Sequence, residues 1–169
     1  MRPLATRTAA LVGDSPQWLP GNFGVALDTR EQVPWIFPPD VAVKVGMLPA
    51  GDVSIPEHET EIALERKGLE DAVHCFVVEY EGRFGRELDK LSHYDFAAII
   101  VEASLEDVEK HRYRSRVTPG AVLSRAATIT AVRRIPVLFC GDAKRAADFG
   151  LRLLRRWWEH RIARGERAP

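Results

Sequence analysis

Gly51-Asp-Val-Ser-Ile-Pro-Glu-His-Glu-Thr-Glu-Ile-Ala-Leu-Glu-Arg-Lys67 is the stretch from which the rest of the chain is read. Val53-Ser-Ile55 and Glu61-Ile-Ala-Leu-Glu-Arg66 flank an acidic loop, Pro56 to Thr60, and Pro49-Ala-Gly-Asp52 is a turn, so the segment predicts a β-hairpin. Side chains alternate across a strand, which sends Glu65 and Lys67 to one face and Arg66 to the other. A hairpin that sets Asp52 alongside collects two carboxylates and an ammonium at a place suited to Mg²⁺ or Mn²⁺. Such an ion would lower the pKa of a bound water and offset the charge that develops on a phosphorane-like transition state. Lys67 would orient that water or stabilise the charged oxygen. Taken alone, the same spacing also fits a surface hairpin with a solvated charge run.

Outward from the hairpin, apolar runs alternate with helical patterns. Val25-Ala-Leu-Asp28 reads as a short buried strand, followed by a Pro-rich loop, Pro34-Trp-Ile-Phe-Pro-Pro39, and a strand from Val41 to Leu48. Helices are predicted over Gly68–Phe76 and Arg83–His93; in the second, Phe84, Leu88 and Leu91 make one apolar face. Phe96-Ala-Ala-Ile-Ile-Val101 is continuously apolar, as a strand covered on both sides must be. After a charged stretch, Glu106 to Arg116, Thr118-Pro119 opens a helix to about Arg134, and Pro136–Cys140 is the last strand. Asp142 caps a long final helix to about Arg161 with two apolar stripes, which predicts two partners. The expected architecture is an α/β/α sandwich of three layers around a mixed sheet. Residues 25–163 form the expected domain, 1–24 a loosely attached arm and 164–169 a tail.

Composition excludes several classes. With 169 residues, 46% of them hydrophobic and 28% charged, the chain suits one globular domain that needs no disulfide or structural metal. Cys75 and Cys140 make no C-x-x-C and are expected to be core thiols. No apolar run reaches the roughly 18 residues of a membrane span and no signal-peptide pattern opens the sequence, so a cytoplasmic protein is expected. The formal net charge of zero hides a division: residues 1–110 hold 10 Lys or Arg against 20 Asp or Glu, and residues 111–169 hold 14 against 4. That fits an acidic metal-binding region beside a basic phosphate-binding face, or two faces of a fold that neutralise each other.

Further residues extend the hairpin set. Asp28-Thr-Arg-Glu31 places a carboxylate at the C-terminal end of an apolar strand, where open α/β sheets put their sites. Glu102 also ends an apolar strand, and Asp71 begins a helix four residues after Lys67. Arg112, Arg114 and Arg116 alternate with other residues; an extended segment would aim them together as a phosphate track. Trp157 and Trp158 fit core or a dimer interface better than base stacking, and the five histidines show no ligand spacing.

The set Val25-Ala-Leu-Asp-Thr-Arg-Glu31, Ala50-Gly-Asp52, Glu65-Arg-Lys-x-x-x-Asp71, Gly82-Arg-Phe84 and Ile100-Val-Glu102 resembles the nuclease domain of the XPF/Hef family of structure-selective DNA endonucleases. The family's G-D, gap, E-R-K-x-x-x-D signature is matched at every fixed position, and the resemblance spans about residues 25–160. It implies a restriction-endonuclease-like fold, Mg²⁺- or Mn²⁺-dependent hydrolysis of DNA at branched, flap or fork structures, and a homodimer through the C-terminal helices. It further implies that Asp28, Asp52 and Glu65 hold metal, that Lys67 is catalytic, and that Arg66 and Asp71 support the site. Arg30 and Arg83, with Arg112, Arg114 and Arg116 of the charged stretch, are expected to meet DNA. A helicase region before the domain and a tandem helix-hairpin-helix module after it, both common in relatives, are not in this sequence, and a stand-alone nuclease is expected. The alternative is a non-catalytic DNA-binding or dimerisation partner, although such partners typically lose the acidic residues and lysine kept here.

Overall fold

A computed structural model describes residues 16–165. The six strands are β1 (Val25–Asp28), β2 (Val43–Gly46), β3 (Val53–Ser54), β4 (Ile62–Lys67), β5 (Phe96–Val101) and β6 (Val137–Phe139). They form one mixed sheet in the order β2-β1-β3-β4-β5-β6, in which β3 runs antiparallel to both β1 and β4 and the other pairs are parallel. Five helices are described: α1 (Leu69–Val77), α2 (Arg83–Leu91), α3 (Leu105–Glu109), α4 (Pro119–Val132) and α5 (Ala143–Ala163). None is long and apolar enough to cross a membrane.

The alternation of the strands sorts these helices into two layers. Ala63, Ala97, Ile99 and Val101 face a core shared with α1, α2 and α4 through Phe76, Leu88 and Ile129. Their neighbours Ile62, Leu64, Ala98 and Ile100 face a second core with α5 and the loop after β1, through Leu154, Trp35 and Phe37. Burying two such apolar faces supplies the main driving force for the fold, at roughly 25 cal/mol per Å² of apolar surface. The expected three-layer α/β/α sandwich is the observed architecture.

Local chemistry sets the helix starts. Thr118 Oγ1 accepts from Ala121 N–H, and Asp142 Oδ1 accepts from Arg145 N–H. The charged stretch after Glu102 contains a short helix: Ser104 and Asp107 form a reciprocal capping box that starts α3. The strand expected over Val41–Leu48 pairs only at Val43–Gly46. Of the expected arm, residues 1–15 lie outside the described residues, as do 166–169 of the tail. Residues 16–24 are seated on the sheet, with Gln17 bridging Val43 and Phe23 set edge-on to Trp158 at 5.7 Å. Cys75 and Cys140 are half-buried free thiols rather than fully enclosed ones.

Candidate active site

Gly51 makes the site's tightest turn. Its φ of +73° suits glycine, and a Cβ there would stand 3.0 Å from the Ala63 Cβ and 3.1 Å from the Leu64 carbonyl oxygen. The turn delivers Asp52 to the end of β4: Asp52 N–H donates to the Leu64 carbonyl (2.9 Å), and Arg66 N–H donates to Asp52 Oδ2 (2.8 Å). Asp52 and Glu65 thus meet as the hairpin spacing predicts, in a cleft of about 640 Å³ that Lys67, Asp71, Arg30 and Arg83 also line.

The cleft holds carboxylates away from water. Glu65 is 8% exposed, and burial, followed by the neighbouring Asp52 charge, pushes its carboxyl up to about 7. Burial likewise raises Asp52, against the Arg66 N–H bond and the Lys67 charge, which favour its ionised form. Lys67 Nζ donates to Glu65 Oε1 at 2.5 Å and lies 3.7 Å from Asp71 Oδ2. Burial disfavours the ammonium, but the Glu65 carboxylate prevails and holds Lys67 above the ordinary lysine range. Two desolvated carboxylates therefore lie in one cleft, with the Lys67 ammonium bonded to Glu65 and acting on Asp52 through its charge.

Arg66 lies on the opposite side, as the alternation requires. It donates to Glu102 Oε1 through Nε (3.0 Å) and Nη2 (2.7 Å) and to the Val33 carbonyl through Nη1 (2.8 Å), and it stacks over the Trp35 ring. Trp35 Nε1 donates to the same Glu102 oxygen at 2.6 Å. Arg66 and Glu102 thereby clamp the loop after β1 across the sheet end.

The structure separates the remaining expected residues. Asp28, expected among the metal-holding carboxylates, is buried and faces its own loop, accepting from Arg30 N, Nε and Nη2 and from Leu48 N–H at 2.7–2.8 Å. Burial alone would raise its pKa; the Arg30 bonds overcome that and hold it below the usual value. Asp28 thus orients Arg30, whose side chain is 65% exposed on the cleft rim. The extended track of Arg112, Arg114 and Arg116 is not formed, because the chain bends at 113–115. Arg112 pairs with Asp107 at 2.7 Å, Arg114 N–H donates to Glu70 beside Asp71, and Arg116 is exposed. Glu87 lines the cleft and accepts from Gly51 N–H at 3.1 Å; no motif in the sequence marks it. Cys75 also lines the cleft, but burial pushes its thiol up to about 11, far from a reactive thiolate.

Among the described residues no three His, Cys or carboxylate groups converge on one point to cage an ion. The pair Asp52 and Glu65 still fits Mg²⁺ or Mn²⁺, whose sites commonly use one or two carboxylates and fill the remaining positions with water and substrate phosphate. Surplus buried negative charge is what such a cation would neutralise.

Comparison with known proteins agrees with this fold. Residues 27–153 match the ERCC4 domain family. Among solved structures, XPF from Aeropyrum pernix is similar with a TM-score of 0.62 and 24% identity, over 84% of this chain and 68% of that one. XPF from the same organism in complex with DNA is similar with a TM-score of 0.63 and 26% identity, over 83% and 68% of the two chains. No curated protein matches by sequence. The family match and the similar structures, on a sheet whose central hairpin carries an acidic, lysine-bearing cleft, mark the chain as an XPF-type nuclease domain. It belongs to the ERCC4 domain family.

Proposed function

We propose that this protein is a divalent-metal-dependent DNA endonuclease that cuts near junctions between single- and double-stranded DNA. The observation that carries the reading is the pair of desolvated carboxylates, Asp52 and Glu65, in one cleft with Lys67, which is bonded to Glu65. Asp52 and Glu65 would hold Mg²⁺ or Mn²⁺, which when bound supplies Lewis-acid activation of water and charge neutralisation at phosphorus. Lys67, bonded to Glu65, would stabilise a phosphate oxygen as it gains charge. Arg30, held by Asp28, and Arg83 at the start of α2, which also lines the cleft, would take flanking phosphates. Asp71 keeps Lys67 within reach of the cleft, and Arg66 fixes β4 from behind. Arg114, tied to Glu70 in the first turn of α1, and the exposed Arg116 would meet the backbone further along without forming a continuous track, and Arg112 would contribute only on release from Asp107. The DNA complex of the Aeropyrum pernix relative supports DNA as the partner.

The test incubates the protein with end-labelled single-stranded, duplex, flap and fork DNA, with and without Mg²⁺ or Mn²⁺, beside Asp52→Asn. Metal-dependent cuts that favour a junction and vanish in the variant are expected. Fork binding without cleavage under either metal would overturn catalysis and leave a non-catalytic partner.

A further inference from the structure

The Gly51 turn is held from three elements. Asp28 N–H of β1 donates to the Asp52 carbonyl oxygen at 3.0 Å, Asp52 N–H donates to the Leu64 carbonyl of β4 at 2.9 Å, and Gly51 N–H donates to Glu87 Oε1 of α2 at 3.1 Å. The first two are backbone bonds to neighbouring strands and need no particular side chain. The third needs an acceptor sent from a helix 36 residues further along the chain. It falls on the peptide most able to rotate, since a glycine at positive φ has no Cβ to restrict the bond before it. Glu87 thus fixes the Ala50–Gly51 peptide, one residue ahead of Asp52.

The helix is set firmly enough to do this. Phe84, Leu88 and Leu91 are buried, and Phe84 stacks on Phe76 with ring centroids 5.8 Å apart. Gly85 lies so near residue 80 that a Cβ there would stand 2.2 Å from the Tyr80 carbonyl oxygen. With that face fixed on the core, Arg83 and Glu87, four residues apart and so on one side of α2, both line the cleft. Glu87 Oε2 lies 3.6 Å from Lys90 Nζ, so part of the carboxylate's charge is answered within α2. What Glu87 brings to the cleft is chiefly the hydrogen bond. Groups that orient a metal ligand from behind matter to the ion although they never touch it.

Building on the nuclease reading, we infer that Glu87 is a positioning residue for the cation site: by accepting from Gly51 N–H it locks the turn that sets the Asp52 carboxylate in the cleft with Glu65. It acts through Asp52 and takes no place on the ion. Helix α2 then serves the cleft twice, with Arg83 toward DNA and Glu87 toward the metal-binding turn.

The test measures Mn²⁺ binding to the DNA-free protein by electron paramagnetic resonance, for the wild-type chain, Asp52→Asn, Glu87→Ala and Glu87→Gln. Glu87→Ala removes the acceptor and should weaken Mn²⁺ binding about 10-fold or more, the scale for losing a group that orients a ligand. Glu87→Gln keeps an oxygen for Gly51 N–H without the charge and should hold the affinity within about threefold of wild type. Amide exchange at Gly51, followed by NMR, should quicken in Glu87→Ala and stay slow in Glu87→Gln. Both variants should keep the fold by circular dichroism, because Glu87 is partly exposed and the buried face of α2 is untouched. Unchanged Mn²⁺ affinity in Glu87→Ala overturns the positioning role. So does a Glu87→Gln variant as weak as Glu87→Ala, since charge or direct ligation then outweighs the bond. A wild-type chain that binds no Mn²⁺, or whose binding survives Asp52→Asn, overturns the cation reading of the cleft itself.

Discussion

Glu65 carries the clearest pH signature in the molecule. Its carboxyl titrates near 7 when folded against about 4.5 in the ordinary state, so between those values the folded chain holds a proton that the unfolded chain has released. The sign follows: this group's contribution to stability is complete below about 4.5 and lost as pH rises through about 7. Denaturation of the metal-free protein from pH 5 to pH 8 should show falling stability, and Glu65→Gln should flatten the fall. An equal fall in the variant would assign it to other groups. Mg²⁺ should restore stability at pH 8 and do little at pH 5, because only the ionised pair attracts the cation. Lys67→Ala should lower single-turnover cleavage by about 100-fold or more, the scale for losing one charge-stabilising donor, with the fold intact by circular dichroism. Full activity in that variant would remove Lys67 from the chemistry.

At the scale of elements, the site depends on how β4 is braced on both sides. Arg66, only 10% exposed, bridges Glu102, Glu31 and the Val33 carbonyl. Arg66→Ala leaves Glu102 short of its cation and frees the loop that carries Trp35. We expect a loss of about 3 kcal/mol, measured by urea unfolding, as for other broken buried pairs. On the cleft side, Gly51→Ala meets Ala63 and the Leu64 carbonyl while straining a left-handed φ. It should cost about 1–3 kcal/mol and reduce cleavage by displacing Asp52. These two predictions mark what the sequence discloses. The opposite directions of Glu65 and Arg66 follow from strand alternation alone, and the meeting of Asp52 with Glu65 follows from the hairpin. The partnership of Arg66 with Glu102 is not legible, because the two are neighbours only once β4 and β5 pair in parallel with Arg66 opposite Ile100. Nor is the attachment of Asp28 to Arg30, since an acid at a strand end reads as a ligand until its loop is seen folding back over it. Glu87 is invisible for a similar reason: an acidic residue on an amphipathic helix looks like solvated surface.

For the whole molecule, part of the division of charge along the chain is spent in pairing across it. Arg133 meets Asp89, Arg161 meets Asp95 and Glu61, and Arg114 meets Glu70, each joining the basic C-terminal part to the acidic N-terminal part. The two apolar stripes of α5 are also used internally. Leu154 is buried, Trp158 packs on Phe23, and Trp157 sets its ring 5.2 Å from His58. The second partner that the stripes predict is therefore this chain's own segment, and the stripes give no ground for a dimer. Apolar surface remains at the opposite edge of the sheet. There, among the described residues, β6 has no further strand beside it, its residues are half-buried, and Phe149 of α5 is 42% exposed next to Phe139 and Cys140. An edge strand with an exposed aromatic beside it gains most from being covered by a partner. If the chain dimerises as its family resemblance implies, this edge is where the C-terminal helix can contribute. Sedimentation equilibrium should then show a dimer, and Phe149→Glu should weaken it at least about 10-fold by placing a charge in a desolvated contact. The variant's fold should be kept, since Phe149 is not enclosed in the core. An intact dimer in that variant would move the interface away from β6, and a monomeric wild-type chain would show that one copy of the cleft suffices for any cleavage observed.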